Sequence, residues 1–97
     1  MDPEWLVGEW AGQHFARSDH QGDAIYLTIT RVEGDQVFGS MELYGHHGIG
    51  HRVRQIRGTL QGNDLTIGPF QLTVYGRRMT GHASIGQQGL DLELTKR

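Results

Sequence analysis

An alternation of apolar and polar residues with a period of two runs through nearly the whole chain. Ile25, Leu27 and Ile29 alternate with Tyr26, Thr28 and Thr30. Val37, Met41 and Leu43 alternate with Phe38, Ser40, Glu42 and Tyr44. Ile56 and Leu60 share one face, as do Leu65 and Ile67, and then Phe70, Leu72 and Val74. Met79, Ala83 and Ile85 alternate with Thr80, His82 and Ser84, and Leu90, Leu92 and Leu94 with Asp91, Glu93 and Thr95. Alternate residues of a strand point to opposite faces, so this pattern spells half-buried strands, and no segment keeps helical spacing for three turns. With a first strand from about Glu9 to Arg17, the count is eight.

Between the strands lie short turns: Glu33-Gly34-Asp35, Gln61-Gly62-Asn63, Gly68-Pro69, Gly76-Arg77-Arg78 and Gly86-Gln87-Gln88-Gly89. Each is short enough for a hairpin, so neighbouring strands should pair antiparallel. A sheet with one apolar face must close on itself or pack on a second sheet. Consecutive hairpins favour closure, which removes exposed edges. The expected fold is therefore all-β, a compact eight-stranded antiparallel up-and-down barrel occupying residues 1–97 as one domain. A two-sheet sandwich or a dimer of half-open barrels is the alternative. Gly12, Gly39, Gly58 and Gly81 fall on the inward parity of their strands. Glycine there permits the sharp coiling of a small barrel and also frees interior volume.

Ninety-seven residues bury only about 60–65% of the surface the unfolded chain exposes, so stability is thin and a large cavity would thin it further. A net charge of -2 offers no basic excess for nucleic acid or an anionic membrane surface, and neither is expected as a partner. The absence of cysteine removes disulfides, thiolate metal sites and a cysteine nucleophile. Met1-Asp2-Pro3-Glu4 carries acid where a secretory signal carries base, and no long apolar run follows. A soluble, cytoplasmic protein without a cofactor is the expectation.

The first strand carries Gly8-Glu9-Trp10. A Gly-x-Trp opening an up-and-down barrel resembles the calycins, the lipocalin and avidin group, in which this tryptophan plugs the closed base and a basic residue of the last strand packs over it. The resemblance implies a barrel and a general habit of binding small molecules, but no particular ligand. Lys96 keeps the parity of Leu90, Leu92 and Leu94, which places it beside Trp10 with a cation–π contact in reach. Arg31, on the inward parity of the second strand, competes for the same place at the floor.

Strand direction then separates the two ends. If the first strand runs up, the tight turns near Gly34, Gly62 and Gly76 lie at the bottom, and the two longest loops, 18–23 and 45–51, lie at the top. Binding groups concentrate on loops held by a rigid scaffold, so the top is the candidate mouth. His14, about 13 Å above Trp10 on the same face, should point inward there. By the parity of Ile56 and Gly58, Arg52 and Arg54 also point inward, unless a bulge turns Val53 in and the arginines out. Ile25, Leu43, Ile67, Phe70, Ile85 and Leu90 would form the apolar wall, with Tyr44 close by.

Four functional readings follow. A small apolar or amphipathic ligand, with or without an anionic group, would bind His14, Leu43, Tyr44, Arg52, Arg54, Phe70 and Ile85. An isomerase, cyclase or lyase would use His14 as its base. His46, His47 and His51 form a weak candidate metal site, although adjacent histidines on an extended chain point apart. Finally, Tyr26, Phe38, Tyr44, Val32 and Tyr75 on the outward face would suit a homodimer or interaction module with a filled core, with Phe38 beside Tyr26 as its centre.

Overall fold

The computed structural model describes residues 4–16, 22–45, 52–85 and 88–97. A 3₁₀ turn over Glu4–Leu6 precedes eight strands: β1 (Gly8–Ala16), β2 (Asp23–Glu33), β3 (Gln36–Leu43), β4 (Arg52–Gln61), β5 (Asp64–Ile67), β6 (Phe70–Tyr75), β7 (Arg78–Ile85) and β8 (Gln88–Lys96). They form a closed barrel in sequence order, every neighbouring pair antiparallel, and β8 returns to pair with β1. The sandwich and half-barrel alternatives do not occur. Gly34, Gly62, Gly68 and Gly76 each adopt a positive φ near 60° in the hairpin turns, a conformation glycine takes without steric cost.

The registers correct three expectations. Between Ile29 and Arg31 the β2–β3 ladder slips by one residue. Such a bulge reverses the parity of everything beyond it. Val32 is therefore buried, and Arg31 points out, bonded to Glu33 at 3.2 Å with its guanidinium 4.4 Å from the centre of the Phe38 ring. Arg31 is not at the floor, and Val32 is not on the outer face. The same register places Phe38 opposite Arg31 and Tyr26 opposite Glu42, so Phe38 does not sit beside Tyr26. Each aromatic instead has its own neighbours. Tyr26 meets Tyr44 edge-on at 5.9 Å and carries the Arg97 guanidinium 5.4 Å from its ring centre.

Glycine on the inner face is required by approach of the next strand. A Cβ on Gly12 would overlap the Glu93 carbonyl oxygen, and one on Gly39 that of Thr28. The strands can coil this tightly only where no side chain intervenes.

The interior is a continuous apolar cluster running from Leu6 to Leu94. Its lower end is sealed. Trp10 and Leu6 are fully buried, and the Trp10 indole N–H donates to the Leu6 carbonyl at 3.0 Å. The Glu4–Leu6 turn thus crosses beneath the barrel as a plug. Lys96, paired with Trp10 across β1 and β8, lies with Nζ 5.9 Å from the indole centre and donates to the Trp5 carbonyl at 2.5 Å.

Candidate ligand-binding slot

The opposite end is open because of a mismatch in strand length. β4 has ten residues and β5 only four. β4 pairs with β3 from Thr59 to Arg52, but with β5 only over Thr59, Leu60 and Gln61. Above Thr59 the wall therefore parts, with the free stretch of β4 on one side and the Gly68-Pro69 turn on the other. A cavity of about 480 Å³ opens there, within the range of about 300–1,000 Å³ usual for small-molecule sites. At this end the interior is not filled.

Met41, Leu43, Ile56, Ile67, Phe70 and Leu90 supply the apolar lining. No register shift interrupts the β3–β4 ladder, and Arg54 pairs with Met41 and Arg52 with Leu43. Cross-strand partners share a face, so both arginines lie on the inner side and border the cavity. Val53 points outward and is 61% exposed. Gln55 and Arg57 have outward parity yet also line the cavity, since their backbone forms the parted edge.

His14 is the one buried polar side chain among the described residues, and it borders the same cavity. Its Nε2 lies 2.5 Å from the Tyr44 carbonyl oxygen. A carbonyl only accepts, so Nε2 carries a proton and donates it. Nδ1 is buried with no hydrogen-bond partner among the described residues.

Tyr44 reaches the site through its backbone alone. Its phenol is on the outer face and donates to the Glu42 carboxylate at 2.8 Å. That contact, followed by desolvation and the charges of Glu42 and Tyr26, raises the Tyr44 pKa above its ordinary 10.0. The structure therefore brings together His14, Leu43, Arg52, Arg54 and Phe70 from the sequence-predicted set, leaves the Tyr44 side chain outside, and keeps Ile25 buried but off the lining. The Ile85 side chain and the histidines 46, 47 and 51 lie outside the described residues. Among the described residues, no cluster of three metal-ligating side chains occurs.

Met41, Ile56, Gly68 and Pro69 were missed as lining groups. The spacing of the Gly62-Asn63 and Gly68-Pro69 turns, with only four residues between them, held the signal for all four. No protein-family model and no curated protein sequence matches this chain.

Proposed function

We propose that the barrel binds a small amphipathic anion in the slot between β4 and the β5–β6 turn. The observation that carries this reading is a cavity of about 480 Å³ whose wall is apolar and whose border holds Arg52 and Arg54 on the inner face. An apolar tail gains from leaving water against Leu43, Ile67, Phe70 and Leu90. A carboxylate gains charge-assisted hydrogen bonds from guanidinium groups. The calycin-like Gly8-Glu9-Trp10 opening supports the same reading, since that group characteristically binds small molecules inside a barrel floored by tryptophan.

Calorimetric titration with decanoate tests it. Decanoate is expected to bind one site, and the double variant Arg52→Gln/Arg54→Gln to bind about 10–100-fold more weakly, as for loss of hydrogen bonds to a charged group. Failure of decanoate to bind, or equal affinity in the variant, overturns the proposal.

A further inference from the structure

The parted wall exposes a strand edge, and its polar groups can be assigned. The two-residue turn Gly62-Asn63 makes Gln61 and Asp64 a hydrogen-bonded pair, so the backbone groups of Gln61 face β5. Leu60 faces the other way, donating to the Asp35 carbonyl at 2.8 Å on the β3 side. Along an unbulged strand this direction alternates. The N–H and C=O groups of Arg57, Gln55 and Val53 therefore face the parted side, where β5 offers no partner.

That edge sets a requirement a plain fatty carboxylate does not meet. Each exposed residue presents a donor and an acceptor together, about 6.6–6.8 Å from the next such residue. A carboxylate can take the N–H groups but leaves the carbonyls facing an anion. Displacing water from a carbonyl without replacing its hydrogen bond loses affinity.

Resting on the reading of the slot as an amphipathic-anion site, we infer that its preferred occupant is an N-acyl amino acid, recognised by the free edge of β4 beside Arg52 and Arg54. Such a ligand is one residue of an added strand. Its amide N–H donates to the carbonyl of Gln55, the middle edge residue, and its carboxylate accepts from the Gln55 N–H, the exchange that defines a hydrogen-bonded antiparallel pair. The arginines neutralise the carboxylate, and the acyl chain enters the apolar cavity.

Three ligands of matched length separate the ideas: N-octanoylglycine, the ester octanoyl glycolate, and undecanoate. The ester keeps shape and charge but lacks the N–H. The amide is expected to bind at least about tenfold tighter than either, the order of one hydrogen bond to a site built for it. Equal binding by all three, or by amide and ester, overturns the inference and leaves the amphipathic-anion reading standing. Failure of all three to bind overturns both. A second measurement uses Gln55→Pro, which deletes an N–H facing the slot and spares the bonds to β3, the placement in which a strand tolerates proline. It should weaken N-octanoylglycine by about tenfold; unchanged affinity in the folded variant overturns the inference.

Discussion

The two ends of this barrel are built from the same alternating strands and differ in what happens when the strands run out. At the floor, β1 and β8 are paired from Trp10 and Lys96 onward, and a 3₁₀ turn brings Leu6 across the base. At the mouth, β4 outruns β5, and nothing among the described residues replaces the missing ladder. At the floor the fully buried Trp10 has its indole N–H bonded to the Leu6 carbonyl. The mouth has a buried imidazole with one nitrogen unpartnered among the described residues and a strand edge facing a cavity. Packing density is spent at one end, which frees the other to be recessed.

The largest test of that contrast is a pair of truncations. Trp10→Ala should cost about 3–5 kcal/mol, because a buried indole leaves a cavity that its surroundings cannot fill. A domain with roughly 5–15 kcal/mol of stability would be close to unfolding. Leu43→Ala at the mouth should cost only about 1 kcal/mol, since solvent already reaches the space it lines. Urea denaturation measures both, and equal losses would mean that the mouth is packed as tightly as the floor.

Smaller in effect, Lys96→Met tests whether the plug is held by the last strand. It removes the ammonium over Trp10 and the hydrogen bond to the Trp5 carbonyl. A loss of about 1–2 kcal/mol is expected, with unchanged decanoate affinity. A thermal midpoint equal to that of the parent chain would show that the turn holds itself in place.

The smallest effect is on the outer surface beside the mouth. The Tyr44 phenol donates to Glu42 only while protonated, which is why its pKa is raised. Its contribution to stability is thus complete below the unfolded phenol's value near 10 and disappears as pH rises through the higher folded value. Ultraviolet titration should place Tyr44 above its unperturbed value, and Glu42→Gln should bring it back toward that value. A titration unaltered by Glu42→Gln would dismiss the contact.

The barrel was legible because its evidence is repeated: eight strand segments and five glycine-containing turns point to the same closure. The inward arginines were legible too, by counting back from Ile56, because β4 contains no irregularity. The bulge after Ile29 was not. Arg31 at inward parity and Val32 at outward parity do break the alternation, but a polar floor residue explains the break as well as a bulge does, and only pairing with β3 shows that the ladder slips. Leu6 was missed as a core residue for a related reason: a single 3₁₀ turn is too short to have a period. His14 was placed inward from its spacing to Trp10, but its bond to the Tyr44 carbonyl depends on residues 30 positions apart, a separation no local pattern encodes.

The brevity of β5 has a consequence for how such a site changes over time. The aperture is set by how many residues separate two turns and not by the side chains around it. Adding one residue on each side of Gly68-Pro69 would lengthen two strands together, raise the sill of the opening by about 3 Å and give β4 another partner. Ligand size could then be retuned by insertions and deletions in one hairpin, with the lining residues, the floor and the remaining ladders inherited unchanged.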